Sequence, residues 1–574
     1  MAWVSIRRVL VTVLCAWVGL GVLRAAVDAE SPVADAAMTQ DAARVRDLLK
    51  RGVDVNGAQG DGMTGLHWAA THGDGDLVSL LLSAGANRRA TTRLGGYTAL
   101  HLASRAGAVA AIRSLALDRT SVNAPTATGA TALMLAASSG NADAVILLLE
   151  LGADHRATED ANGQTALMFA AALDRAEAVA ALLKHGADHA ATSKVTDVSS
   201  TVAPEEKLQQ ELREAQAARS ATATGRGGGG QGTPASTPVP GATRPYTFGE
   251  LVGKQGGLTA LHFAARQGAL RTVQVLVDAR AGVNAASADR TSPLLIATIN
   301  GHFDVAAYLL ERGADPNISS MAGMTPLYAV INVQWAPKSF YPQPRAYLQQ
   351  QTSYLQIAKA LLDRGADPNA RLRHKIWFTQ YNFDLLRTDE GGATPFWRAA
   401  YASDIDAMKL LVSYGADPHI ATTKSAGRTR QADVEREVRD VSALPPLPTG
   451  GPGIPPLLAA DGAGYGEGFA ANAHRFAPSG MLAAVKYLVE DLQADVNARD
   501  NDGDTALHHA AARGDNEMIQ YLVSKGADVK AVNRQGQTTV DLANGPVQRI
   551  QPYPETIKLL ESLGAKNNHK CVSC

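Results

Sequence analysis

A chain of 574 residues with 54 basic against 55 acidic side chains has no excess charge with which to grip a nucleic-acid backbone. Aromatic residues are only 5% of it and cysteines number three, too few to staple a body of this size, so stability must come from packing. Length alone suggests about four domains, but a fixed internal period overrides that expectation.

In chain order, residues 1–29 stand apart. Arg7 and Arg8 precede an uncharged run from Val9 to Leu23, and Ala25, Ala26 and Ala29 follow. A basic start, an apolar stretch of about 15 residues and a small-residue end predict a secretory signal. Val27-Asp28-Ala29 is a candidate cleavage site, and the run is short for a span of about 20 residues. Cys15 follows Leu14, not a small residue, which argues against a lipoprotein signal. The expectation is an exported protein, periplasmic or extracellular, with no stable membrane span once the signal is removed.

Ala36 to Asn56 reads as a terminal half-repeat. Beyond it the phrase Thr-x-Leu-His recurs: at Thr64–His67, Thr98–His101, Thr259–His262 and Thr505–His508. Variants at Thr131, Thr165, Ser292, Thr325 and Thr394 fill the gaps, and uninterrupted steps are 33 or 34 residues. The segment from Gly503 shows the physics of one unit. Thr505 stands where an N-cap belongs, and Leu507, Ala510 and Ala511 form an apolar stripe at helical spacing. Gly514 stops that helix. A second follows with Ile519, Leu522 and Val523, closed by Gly526. Neither short helix can bury its faces alone, but a stack of copies can. Recurrence of the histidine at one phase assigns it to a bridge between the capping threonine and the inter-repeat loop, not to metal or catalysis.

The opening phrase, together with a close seen as Gly313-Ala314-Asp315-Pro316-Asn317 and Gly365-Ala366-Asp367-Pro368-Asn369, resembles the ankyrin repeat. The resemblance covers most of residues 31–565. It implies an all-α solenoid of stacked helix–turn–helix repeats with projecting hairpin loops, about 11 repeats with insertions. It also implies the family's usual role, protein binding through the concave face and finger loops. Contacts are then expected at Tyr97, Arg105, Arg266, Tyr401 and Arg513, each at a repeat position pointing away from the stack.

The period fails in several places. Thr165 to Thr259 is 94 residues, about 61 beyond one period, and residues 194–255 read as a flexible linker or insert between repeats 31–193 and 256–420. Thr325 to Thr394 carries 36 extra residues. From Trp335 to Trp397 this stretch holds 11 of the chain's 30 aromatics, among them Tyr341, Trp377 and Tyr381. Such a cluster either packs as a lid on its own repeats or makes an anchor patch, since binding hot spots favour Trp, Tyr and Arg. Trp335, Tyr341, Trp377, Tyr381 and Trp397 are therefore candidate partner contacts. Residues 421–455 are a charged, then Pro/Gly-rich insert. Gly462 to Ser479 interrupts the repeats of 456–565, either as a binding loop or as a spacer.

No catalytic constellation is found. Gly249 to Lys254 lacks one spacer residue and the Ser/Thr of a phosphate-binding loop, and no His-Glu-x-x-His or Gly-x-Ser-x-Gly is present. No cofactor, metal site or catalytic residue is predicted. In the tail, residues 566–574, Cys571-Val-Ser-Cys574 lacks the histidine that a haem-attachment motif requires. A terminal disulfide or dithiol, metal capture with His569, and a relic haem motif are the readings left. The expected function is a non-catalytic, monomeric scaffold for a protein partner. The alternative is a redox or electron-transfer accessory using Cys571 and Cys574.

Overall fold

The computed structural model describes residues 31–116, 118–200, 241, 245–335, 345–377, 388–425, 440–465, 476–545 and 551–571. The candidate signal, Tyr341, Tyr381 and Cys574 lie outside them. The described chain is built from pairs of short antiparallel helices, as the period predicts. Gly65–Thr71 with Gly75–Ser83 and Ala132–Ser139 with Ala142–Glu150 are typical pairs. Each helix is of seven to ten residues in the complete repeats, too short to persist alone in water. The first helices of successive repeats pack side by side, with alanines such as Ala69, Ala136 and Ala170 fully buried where backbones approach.

Local chemistry sets the helix ends. Thr64 Oγ1 accepts from the His67 backbone N–H, and His67 Nδ1 accepts from the Thr64 N–H at 3.2 Å. That leaves the proton on Nε2, which donates across the junction to the Ala90 and Tyr97 carbonyls, both at 3.1 Å. His101 does the same toward Ala124 at 2.9 Å, and His508 reaches Gln537 at 3.4 Å. The histidines are thus bridges between repeats. Burial lowers the basicity of His67 and His101 and pushes His508 down to about 3.

Second helices start on caps such as Asp74 and Asp515 and end on glycines. Gly526 is typical: its φ of 93° is closed to most side chains, although a Cβ there would meet open space. The asparagine of the closing phrase also has a structural task. Asn317 Oδ1 accepts from Asp367 N–H at 2.9 Å while its Nδ2 donates to Gly365 O at 2.8 Å, and Asn369 bonds to Asp417 and Gly415 in the same way. These side chains form a ladder between neighbouring repeats.

The chain divides into two compact units, residues 1–194 with 257–282, and residues 195–256 with 283–574. The helices Ala260–Gln267 and Leu270–Asp278 therefore belong with the N-terminal repeats, while residues 195–256 belong with the second unit. The ends of that stretch are not free. Within the first unit Ser193 N–H donates to Leu258 O at 2.9 Å. Within the second, Thr196–Asp197 pairs antiparallel with Lys254–Gln255, and Phe248–Val252 packs on the turn Val198–Ser200. The described ends of the stretch therefore lie together within the second unit. At the C-terminal end, buried Asp541 occupies the position that histidine takes elsewhere. Its carboxylate accepts from the backbone N–H groups of Thr538, Asn568 and Lys570 at 2.8, 3.0 and 3.3 Å and so fixes the tail.

Candidate functional site

Four residues after each capping threonine, the first helix points a side chain off the stack. In the first unit this position holds Trp68, Leu102, Leu135, Phe169 and Phe263. Trp68, Leu135 and Phe169 are half-buried, while Leu102 and Phe263 are buried. The Trp68 indole N–H donates to Gln59 Oε1 at 2.7 Å, which holds the ring against its own finger loop. The Arg105 guanidinium lies 5.7 Å from the centre of the Tyr97 ring, and that of Arg266 lies 5.0 Å from the centre of Phe263. Leu94, at the tip of the next finger, is 78% exposed. Asp61, Met63, Trp68, Thr71, Thr92, Leu94, Tyr97, Leu102 and Arg105 line one cavity of about 240 Å³. Two of the predicted contacts, Tyr97 and Arg105, therefore meet in a groove, and Arg266 stands on the same helix row.

The second unit differs. There the equivalent positions hold half-buried Ile296 and buried Ala329, Arg398, His509 and Leu542, two of them charged or polar. Arg398 Nε donates to Asn332 Oδ1 at 2.8 Å. Tyr328 donates to Glu390 Oε2 at 3.0 Å, and Glu390 Oε1 accepts from Ile376 N–H at 2.9 Å. His509 faces Asp500 at 3.2 Å. Asp461 is fully buried, and desolvation raises its carboxyl to about 6 although Arg513 and His509 oppose that shift.

Four predicted contacts fall in this interior and require correction. Trp335 is 9% exposed and donates to Asp404 Oδ2 at 2.7 Å. Trp397 is wholly buried, donating to Ile454 O at 2.9 Å with its ring stacked on Tyr401 at 5.3 Å. Tyr401 is itself buried. Arg513 donates from Nη2 to Asp461 Oδ1 at 3.0 Å and its side chain is 8% exposed. Trp397 stands at the phase that histidine takes in other repeats and bridges to the next junction in the same way, whereas Trp335, Tyr401 and Arg513 are covered by other parts of the chain. Ala477 N–H donates to Ala402 O at 2.8 Å and Ser479 to Ser403 O at 3.3 Å, while Glu390 and Ile376 come from the long loop. The aromatic insert is a cover at Trp335. At Trp377 it is not: that ring is 39% exposed and meets Phe248, 53% exposed, edge-on at 6.5 Å.

Glu390, Arg398, Asp404 and Asp461 were not singled out from the sequence. The legible signal was a charged residue at a position that is apolar in the first unit, as at Arg398. Cys571 is disulfide-bonded, and its partner lies outside the described residues. Among the described residues no group of three or more His, Cys, Asp or Glu is placed to hold a metal ion, and no helix is long and apolar enough to cross a membrane.

Comparison with known proteins agrees with the helix pairs. A model described as ankyrin repeats in three copies matches residues 33–126, 116–193, 246–320 and 473–571, and a single-repeat model matches 391–423. Alpha-latrocrustotoxin-Lt1a of Latrodectus tredecimguttatus is 26% identical over 257 residues, 44% of this chain and 13% of the toxin. The tyrosine-protein kinase HTK16 of Hydra vulgaris is 38% identical over 85 residues, 14% of this chain and 10% of the kinase. The ankyrin repeat and SAM domain-containing protein 6 of Rattus norvegicus is 38% identical over 88 residues, 15% of this chain and 10% of that protein. The chain thus spans only a small part of the relatives it matches, and what it shares with them is the repeat. It belongs to the ankyrin-repeat family.

Proposed function

We propose that the chain is a non-catalytic scaffold that holds a protein partner on the helix row and finger loops of residues 31–194 and 257–282. Ankyrin repeats generally mediate protein–protein interaction. One observation carries the choice of face. The groove of Trp68, Leu94, Tyr97 and Arg105 is open and partly apolar, whereas Arg398 and His509, at the equivalent helix position of the second unit, are buried. Half-buried Trp68 and Tyr97 beside Arg105 are the residue types that dominate binding hot spots, and Leu94 adds exposed apolar surface. Export, with action as a monomer outside the cytoplasm, is part of the same reading. The residues from Arg7 to Ala29 support it, as does the disulfide at Cys571, a bond that persists in oxidising compartments.

A photo-crosslinking side chain placed at Leu94 tests the choice of face against one placed at Leu151, which follows a second helix and is also exposed. In native extract, crosslinked species are expected from position 94 and not from 151. Equal crosslinking at both sites, or none at 94, contradicts the proposal.

A further inference from the structure

The open face carries a pattern of charge as well as shape. Beside its apolar row lie two further positions, seven and eight residues after the capping threonine. Across the five repeats that open at Thr64, Thr98, Thr131, Thr165 and Thr259, neither position holds an Asp or Glu. Two of the repeats carry arginine there, at Arg105 and Arg266. A third cation comes from a neighbouring turn: Arg175 Nε donates to Ser138 O at 3.1 Å, which sets its guanidinium over the corresponding place of the repeat between them. Leu173, also in this row, is 49% exposed. None of the three arginines has a carboxylate within ion-pair distance among the described residues.

We propose that this face receives a polypeptide segment with apolar side chains along one side and carboxylates along the adjoining edge, paired with Arg105, Arg175 and Arg266. The proposal rests on the reading of this face as the partner site. An apolar partner without charge would strip water from three cations and return nothing, which disfavours the contact. A basic edge would be repelled. A carboxylate replaces the lost water with charge-assisted and often bidentate hydrogen bonds. The aromatic rings beneath Arg105 and Arg266 restrict the guanidiniums before the partner arrives, which reduces the entropy lost on binding. Arg105 and Arg266 are three repeats apart, about 30 Å at the usual helix spacing, which is the length of a helix of about 20 residues.

The test uses the full chain and two labelled synthetic 20-residue helical peptides. Both carry the same leucine face. One has a glutamate edge, the other a lysine edge. Fluorescence anisotropy is expected to show at least about tenfold tighter binding of the glutamate peptide at low salt, with the difference shrinking as salt rises. The double variant Arg105→Glu with Arg266→Glu, the first exposed and the second half-buried, should reverse the order. Equal affinities, or a preference that the charge reversal leaves in place, overturn the proposal. The double variant Trp68→Ala with Leu94→Ser separates the two layers of the reading. If it weakens both peptides while charge reversal has no effect, the face stands and the acidic partner falls. If it changes neither, the face itself is not the site.

Discussion

At the scale of the residue, the recurring histidine shows how position decides role. Its Nδ1 accepts from the capping threonine's backbone N–H and its Nε2 donates to a carbonyl of the next junction, so the neutral ring fills both jobs and a second proton would break one. This role was legible in the sequence, because a residue that returns at one phase of several repeats serves the stack. The consequence is acid sensitivity. Burial holds His508 down to about 3, well below its unfolded value, so its contribution to stability is complete above about pH 6.5 and is lost as pH falls toward 3. Over that window it removes about 1.4 kcal/mol per pH unit. His508→Gln keeps a side chain able to reach back to the cap but takes up no proton. Urea midpoints followed by the helical signal should fall less steeply for this variant than for the parent between pH 6 and 4. Parallel loss would contradict the assignment.

At the scale of the element, the helices and loops obeyed the period and the insertions did not. Caps, alanine contacts and closing glycines are local properties, and each was readable from spacing. What covers a helix is not local. Tyr401 and Arg513 occupy positions that do leave the stack, and nothing near them in sequence shows that residues 388–390, 463–465 and 476–479 return to lie on them. The one local hint is a charge such as Arg398 where an apolar residue stands in other repeats. In a buried network that charge is tolerated only with hydrogen-bond partners, here Asn332 on the preceding repeat. The two tryptophans of the aromatic stretch should therefore separate cleanly. Trp397→Ala empties a fully buried site and should cost about 3–5 kcal/mol in denaturant unfolding. Trp377→Ala removes a ring that is 39% exposed and should cost about 1 kcal/mol or less. Comparable losses from both would mean that the insert packs throughout.

At the scale of the whole molecule, one repeat has been put to two uses. On the proposed reading, the helix row of residues 31–194 with 257–282 keeps an apolar, cation-edged surface for a partner. Around Arg398 and His509, in residues 283–574, the same row is charged, hydrogen-bonded and buried. A solenoid permits this because each repeat contacts chiefly its neighbours, so an insertion changes the local surface without disturbing the stack. The fold was evident from the sequence at this scale. The division of labour was not, since it depends on which surfaces remain accessible. Hydroxyl-radical footprinting of the intact chain, read by mass spectrometry, measures that accessibility directly. Leu94, Tyr97 and Trp68 should be oxidised readily, while Trp335, Trp397 and Tyr401 should stay protected until denaturant is added. Oxidation of Trp397 and Tyr401 in the native chain as fast as that of Tyr97 would contradict the account.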